Sequence, residues 1–514
     1  MFKEMLKRIQ HKCNNKYKPM ASHLLSKSSF IKGLQCEKHL YLYKYHYDEM
    51  DELSDMQKAI FKRGTNVGEL AHKLFPGGTI AAQGDPPKYD LAIKRTKELI
   101  SSDAKVIYEA AFMFNEVLSI ADIVVLEKGG AKVYEVKSST SISETYINDA
   151  ALQYYVISSL GIRVKDFSII YINNQYVRKG DLNLKELFIT ESVLELILPL
   201  QKLVKENVDR FKKVILKKKM PDIEIGEHCY NPYTCGFFNY CRKHIPDDSI
   251  FDFSGMHLAK KYELYRNGII RLDDVPEDCS LNKNNKLQLE VYKKGKPLID
   301  KKAIKNFLSD LNYPIYFMDF ETFQPAVPLF DNSKPYQQIP FQYSLFINKD
   351  RKAESRHFEF LAEPGIDPRK KFIENLLKVT KDKGDVIVYN KTFEITRLNE
   401  IARDFSEYAD EIEKLILRIK DLMIPFQKKY YYAPEMKGSY SIKAVLPALV
   451  PELSYDNLEI NEGGLASVAY ESLQTETDLM FIAEIKQQLL EYCKLDTLGM
   501  VRILEKLETL IDKK

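Results

Sequence analysis

Hydrophobic and polar positions alternate in several short runs and repeat at helical spacing in others, and the two periods divide the chain. Residues 23–245 hold helical patterns at both ends of a strand-rich stretch between about 105 and 138. There, Leu118–Leu126 and Lys132–Lys137 read as two strands joined by a turn containing Lys128-Gly-Gly130, a hairpin. From Tyr313 onward a second mixed unit begins. Its opening strand is Tyr-Pro-Ile-Tyr-Phe-Met-Asp-Phe-Glu321, a later one is Asp385-Val-Ile-Val-Tyr389, and a long amphipathic helix over about 479–513 closes it. Between the units, the polar run Ser280–Lys286 and the basic run Lys293–Pro297 have linker or surface-loop composition. Within this stretch Leu264–Pro276 reads as a helix-turn-helix connector, with a faint likeness to hairpins that grip nucleic-acid backbone. The expected organisation is a basic extension over 1–22, an α/β unit over 23–245, a helical or linker segment over 246–312, and a second α/β unit over 313–514.

Composition agrees with two large cores. A chain of 514 residues exceeds the roughly 100–200 of one ordinary domain, and 45% hydrophobic content with 32 Tyr and 27 Phe is that of a globular protein. The 76 basic and 73 acidic residues nearly cancel, so any nucleic-acid-binding surface must be local. The sequence lacks an apolar run of bilayer length and an N-terminal signal pattern, so a cytoplasmic location without membrane contact is expected. Seven cysteines, an odd number, argue against a disulfide framework and for metal or cluster ligation.

The hairpin carries the first candidate chemistry. Glu135 and Lys137 stand two apart on one strand and share a face, where Asp122 of the neighbouring strand joins them. Two carboxylates and an ammonium suit phosphodiester hydrolysis: the carboxylates hold a hard divalent cation, and the lysine positions or deprotonates water. Gly64–His72 precedes the hairpin, Tyr108-Glu-Ala-Ala lies one strand earlier, and Asp149-Ala-Ala-Leu-Gln-Tyr-Tyr155 follows on a helix. In order and spacing these resemble RecB-type PD-(D/E)XK nucleases over residues 23–245, with Ala121 replacing the proline of the name. The resemblance implies a restriction-endonuclease-like fold, His72, Asp122 and Glu135 as metal ligands, Lys137 at the water, and Gln153 with Tyr154 or Tyr155 lining the site. Glu109 matches a further acidic position.

Three thiols recur at five-residue gaps, Cys229, Cys235 and Cys241, with Asn-Pro and Cys-Gly marking tight turns, and Cys36 makes a fourth. Four thiolates hold either a tetrahedral zinc or an iron–sulfur cluster, and His228 and His244 beside the run keep zinc open. The wide separation of Cys36 from the other three resembles iron–sulfur RecB-like exonucleases of CRISPR and helicase-nuclease systems, which implies a structural [4Fe-4S] cluster. Cys13, Cys279 and Cys493 lie outside the pattern and read as ordinary residues.

In the second unit Asp319 and Glu321 share a strand face and suit binding of one or two divalent cations. Val386–Glu394 reads as a strand ending in a turn that presents Asn390 and Glu394, and Tyr492 and Asp496 lie one helical turn apart. Asp-x-Glu, then Tyr-Asn-x-x-Phe-acid, then Tyr-x-x-x-Asp resembles DnaQ-like DEDD 3′–5′ exonucleases of the tyrosine branch, on an RNase H-like fold. The resemblance implies a two-metal site with Asp319, Glu321, Glu394 and Asp496 as ligands and Tyr492 orienting water. Glu394 departs from the usual Asp, although an uncharacterised family often fused behind RecB-like nucleases has the same Glu. Asp421 is a further acidic candidate.

The expected function is a DNA nuclease with two active sites using Mg²⁺ or Mn²⁺, in repair or antiviral defence. Without a Gly-x-x-x-x-Gly-Lys motif it is expected to act on single strands or frayed ends, with a helicase or defence-system partner opening duplex. The alternatives are an RNA exonuclease and a nucleic-acid-binding scaffold with a degenerate second site.

Overall fold

The computed structural model describes residues 24–512 apart from 85, 86, 218, 382, 456 and 457. The 1–22 extension and Cys13 lie outside the described residues. The chain is mixed α/β and divides into two compact units, one built from residues up to His244 with Ala326–Tyr336, the other from Ile245–Pro325 and the residues from Gln337 onward.

The first unit is built on a seven-stranded mixed sheet. Its strands are β1 Leu25–Ser26, β2 Thr79–Ile80, β3 Val106–Phe114, β4 Val117–Glu127, β5 Gly130–Lys137, β6 Val164–Ile172 and β7 Phe188–Ser192. β2 to β7 follow sequence order across the sheet, and β1 adds beside β4 where Leu25 meets Val117. β3, β4 and β5 are antiparallel neighbours, as two-residue connections dictate: Asn115 and Glu116 both take positive φ, the geometry of the favoured hairpin turn, and Gly129 supplies it in the next. Six longer helices pack here: α1 Lys27–Gln35, α2 Glu37–Tyr45, α3 Asp55–His72, α4 Tyr89–Ile100, α5 Glu144–Ser159 and α6 Gln201–Leu216. α5 crosses between the parallel pair β5 and β6 and buries Ala150, Ala151, Leu152 and Val156 in a core shared with Val124, Val133 and Phe167.

The second unit has a five-stranded sheet in the order β11-β10-β9-β12-β13, with β9 Ile315–Phe323, β10 Ile339–Asn348, β11 Arg356–Leu361, β12 Val386–Val388 and β13 Ile419–Asp421. β9, β10 and β11 are antiparallel, whereas β12 and β13 run parallel to β9. β8 Leu298–Ile299 and β14 Tyr431–Tyr432 form a separate two-stranded pair. Its longer helices are α7 Leu258–Arg266, α8 Lys283–Lys294, α9 Lys301–Ser309, α10 Arg369–Val379, α11 Lys391–Asp404, α12 Ala409–Ile416, α13 Ile442–Leu449, α14 Gly463–Leu473 and α15 Leu479–Asp512. The sheet is covered on both faces. Ile315 and Phe317 of β9 join a core with Leu446 of α13 and Ile503 of α15, while Tyr316, Met318 and Phe320 join one with Phe372 of α10 and Leu398 of α11. Strand parity therefore turns Asp319 and Glu321 to the face covered by α13 and α15.

Two boundaries differ from expectation. Residues 246–312, expected as a helical or linker segment, carry α7, α8 and α9 and pack with the second unit: Ile250, Phe253, Leu264, Leu272 and Val275 make a small core, and Val291 and Ile304 enter the main core of that unit. Thinly spaced apolar residues hide that core behind polar composition, and Asn282 of the polar run caps α8 through the Asn285 N–H. Ala326–Tyr336 belongs with the first unit, where Ala326 joins a core with Tyr176 and the Arg178 guanidinium donates to the carbonyls of Pro328 and Leu329. Among the described residues no helix is long and apolar enough to cross a membrane.

Gly130 opens β5 where it approaches β6 so closely that a Cβ would stand 2.4 Å from the Arg163 carbonyl oxygen. Since the obstacle is backbone, Gly130→Ala is expected to lower stability to chemical denaturation by about 1–3 kcal/mol. An unchanged unfolding midpoint would contradict this packing.

Candidate catalytic and metal-binding sites

In the first unit Glu135 is the hub. Its Oε1 accepts from the ammonium groups of both Lys27 and Lys137 at 2.8 Å, and its Oε2 accepts from the Gln153 amide at 2.7 Å. Lys137 also meets Asp149 Oδ2 at 2.8 Å, and Asp122 Oδ2 accepts from the Val136 N–H at 2.6 Å. Each position follows from its element. β5 aims Glu135 and Lys137 to one face, and the β4–β5 pairing supplies Asp122. α5 offers Asp149 and Gln153 one turn apart, and Lys27 opens α1 directly after β1. Pairing of Tyr108 with Ile123 and of Ala110 with Ala121 leaves Glu109 opposite Asp122, with a left-handed φ of 52°.

The charges are unevenly matched. Desolvation, then the charge of Glu135, pushes Asp122 up to about 7, and desolvation, then Asp122, pushes Glu109 up to about 8. Glu135 goes the other way, because Lys137 and Lys27 outweigh the burial that would raise it. Burial also works against charge on both lysines, and the surrounding carboxylates, Asp149 foremost, hold them protonated above their usual range. Asp149 Oδ1 and Gln153 Oε1 are buried without a hydrogen-bond partner among the described residues.

His72 ends α3 with its ring stacked on Tyr108, centroids 4.0 Å apart, and a buried Nε2 that lacks a hydrogen-bond partner among the described residues. None of the hydrogen bonds just described includes it. Helical spacing also reassigns the aromatic wall. Tyr155 packs against Phe114, whereas Tyr146, on the same face of α5 as Asp149 and Gln153, lies with its ring 5.1 Å from the Lys137 ammonium.

The four cysteines line one cavity together with His39 and His228. Cys36 sits between α1 and α2, and the neighbouring Gln35 amide donates to the carbonyls of His228 and Tyr233, which ties that junction to the 229–241 loop. The thiols are free of disulfides. Burial raises Cys36, Cys241 and Cys235, the last to about 12, and neighbouring thiols add to each rise. Such a set suits a group that takes thiolates and supplies the missing positive charge. His39, which the spacing did not single out, has a buried Nε2 without a hydrogen-bond partner among the described residues and is pulled down to about 3 by burial and then by Lys32.

In the second unit Asp319, Glu321 and the Cys493 thiol offer ligand atoms all within 4.8 Å of one another. Cys493 is therefore not an incidental cysteine: it is buried beside the acids, its thiol donating to the Asp319 carbonyl at 3.9 Å. Asp496, one turn beyond Tyr492 on α15, accepts hydrogen bonds from the hydroxyls of Tyr492 and Tyr455. Glu394 lies in the first turn of α11, buried, with Oε2 lacking a hydrogen-bond partner among the described residues. Asp421 has a different task. It accepts from the N–H groups of Asn390, Lys391 and Met423, holding the left-handed Asn390 turn that presents Glu394.

Burial, and then the other carboxylates, raises Asp319, Glu321 and Glu394 well above the carboxylate range. Burial raises Asp496 as well, against its two tyrosine bonds and Lys443. The donors are all oxygens apart from one sulfur, which suits a hard divalent cation.

Comparison with known proteins adds relatives without a described activity. Residues 316–441 match the family described as Domain of unknown function (DUF2779), a stretch that includes Asp319, Glu321 and Glu394 and stops short of Asp496. The chain is 29% identical over 254 residues to the uncharacterized protein UU173 of Ureaplasma parvum, covering 45% of this chain and 36% of that one. It is 24% identical over 413 residues to the uncharacterized MG366 homolog of Mycoplasma pneumoniae, covering 69% and 61%. It is 25% identical over 252 residues to the uncharacterized protein MG366 of Mycoplasma genitalium, covering 45% and 38%. The matches thus span less than two thirds of each relative's length. A solved structure titled "Crystal structure of SSO0001" aligns at 10% identity and a TM-score of 0.22, covering 43% of this chain and 90% of that one, too weak a likeness to carry an argument.

The sequence motifs miss four groups that the fold brings in: Lys27, Asp149, Tyr455 and Lys443. Lys27 stands 108 positions from its partner Glu135, a distance at which no local pattern operates. Asp149 was legible, because it precedes Gln153 by one helical turn.

The raised carboxyls of the second site hold protons more tightly in the folded chain than in the unfolded one. Without metal, their contribution to stability is therefore present at low pH and is lost as pH rises toward their folded values. Asp319→Asn is expected to raise the melting temperature in chelator at neutral pH by about 3 °C or more, with the gain fading as pH falls toward the ordinary carboxylate range. A variant no more stable than the parent at neutral pH would contradict this electrostatic picture.

Proposed function

We propose that this chain is a metal-dependent nuclease with two active sites, acting on single-stranded or frayed DNA. In this reading the first unit is a RecB-like PD-(D/E)XK domain and the second an RNase H-like domain of the DnaQ type. The observation that carries it is the convergence of Asp319, Glu321, Glu394 and Asp496, from three separate parts of the chain, beside Tyr492 in a buried site with little compensating positive charge.

Asp319, Glu321, Glu394 and Asp496 would hold Mg²⁺ or Mn²⁺, and His72, Asp122 and Glu135, with Glu109 opposite Asp122, would hold a like ion, which supplies charge neutralisation and an acidified water. Tyr492, its hydroxyl tied to Asp496, orients the attacking water in the second site. In the first, Lys137, bonded to Glu135, would position the attacking water, and Lys27 would add a second ammonium for the charge that develops on the phosphodiester. Gln153 fixes Glu135 from behind. The cysteine cavity would hold a [4Fe-4S] cluster through Cys36, Cys229, Cys235 and Cys241, joining the α1–α2 junction to the end of the unit. Such an enzyme suits DNA repair or defence against foreign DNA, with a helicase as natural partner.

Cleavage of 5′-labelled and 3′-labelled single strands with Mn²⁺ tests this directly. Lys137→Ala and Asp319→Ala are each expected to abolish a distinct product ladder, with a loss of about a hundredfold or more in that activity. Parallel RNA strands decide which polymer is cut. No cleavage of either polymer, or ladders untouched by both substitutions, contradicts the reading. For the cysteines, anaerobically purified chain is expected to be brown with iron and sulfide near cluster stoichiometry, and Cys235→Ser to lose both; zinc in place of iron would contradict the cluster.

A further inference from the structure

The second unit carries an open groove of about 700 Å³ that the catalytic assignments leave unused. One wall comes from the 246–312 segment, through Phe251 and through Lys261 of α7; the other comes from Tyr389, Asn390 and the turn bearing Lys437 and Tyr440. Lys437, Asn390 and Tyr440 are exposed, and Tyr440 presents over a third of its surface at the mouth of the groove. The acidic lining residue is Asp252, whose carboxylate is engaged by the Ser249 N–H. The groove is thus aromatic, hydroxylated and basic.

Its location matters as much as its lining. Asn390 leads into α11, which carries Glu394, and Ile442 begins α13, whose Lys443 reaches the ring of Tyr455 at 5.7 Å, the tyrosine bonded to Asp496. Both rims therefore continue into elements of the carboxylate site. The turn is rigid as well: Gly438 has a φ of 78°, and a Cβ there would stand 2.8 Å from Ser254 and from Gln288, so only glycine lets the turn seat against the 246–312 segment.

We propose that this groove binds the last nucleotides of a single-stranded nucleic acid and feeds its 3′ end to the carboxylate site, with Tyr440 stacking on a base and Lys437 contacting a phosphate, while the Lys261 ammonium on the facing wall donates to the Phe251 carbonyl. The proposal rests on the nuclease reading of that site and names where its substrate lies. Unpaired bases present π-faces that stack on aromatic rings, a duplex does not, and phosphates pair with flanking lysines. The 246–312 segment thereby acts as a substrate-binding module of the second unit.

The test uses full-length chain carrying Asp319→Asn, so that the strand stays intact. Strands ending in a photoreactive iodouridine, in deoxy and ribo forms, are cross-linked and the modified peptide is mapped; binding of fluorescein-labelled strands is measured by anisotropy. Cross-links are expected at Phe251, Tyr389 or Tyr440. Binding is expected to fall about tenfold in Tyr440→Ala, the loss of one stacked base, and about threefold in Lys437→Gln, with circular dichroism unchanged. The form bound more tightly identifies DNA or RNA as the occupant. Cross-links confined to other residues, unchanged affinity in both variants, or no single-strand binding at all would overturn the groove. Cross-linking here by a chain that in native form cuts nothing would leave the groove standing and defeat the nuclease reading alone.

Discussion

Like charges held together inside a protein govern the second unit. Asp319 and Glu321 bring oxygens within 4.8 Å of each other, where two full negative charges at an effective dielectric of about 20 repel by at least about 3 kcal/mol. Glu394 and Asp496 add to that repulsion, and all four carboxyls are pushed toward the protonated form. Everything nearby serves to hold them there anyway. β9 fixes the first pair by strand parity, Asp421 pins the turn before Glu394, and two tyrosine hydroxyls secure Asp496. On the proposed reading, a bound cation would relieve this repulsion.

The first unit meets the same problem differently. There the chain supplies its own cations, Lys27 and Lys137, both bonded to one oxygen of Glu135, while Asp149 balances Lys137. Asp122 and Glu109 remain raised, so charge is compensated at Glu135 and left open on the adjoining strand pair. The contrast separates two electrostatic arrangements: one in which lysines neutralise a central carboxylate, and one in which buried acids are left with little compensating charge.

Much of this was legible in the sequence. The hairpin, the β9 strand and the closing helix have strong periodicity, and the candidate residues of each motif share a face because periods of 2 and 3.6 put them there. What the sequence did not reveal is instructive. The 246–312 segment builds its core from apolar residues scattered among polar ones, so composition suggests a linker where packing makes a wall. Lys27 and Tyr455 reach their partners across long separations that only the fold closes. Cys493 reads as incidental because its partners, Asp319 and Glu321, lie on another element. His72 was assigned by resemblance, and its stack on Tyr108 is a contact that no local pattern announces.

Calorimetric titration of Mn²⁺ into metal-free full-length chain bears most directly on the central claim, that both acidic clusters are cation sites. The account predicts two separable sets of binding events, one lost in Asp122→Asn and the other in Asp319→Asn, each substitution leaving the other set intact. Absence of measurable Mn²⁺ binding, or binding indifferent to both substitutions, would contradict it.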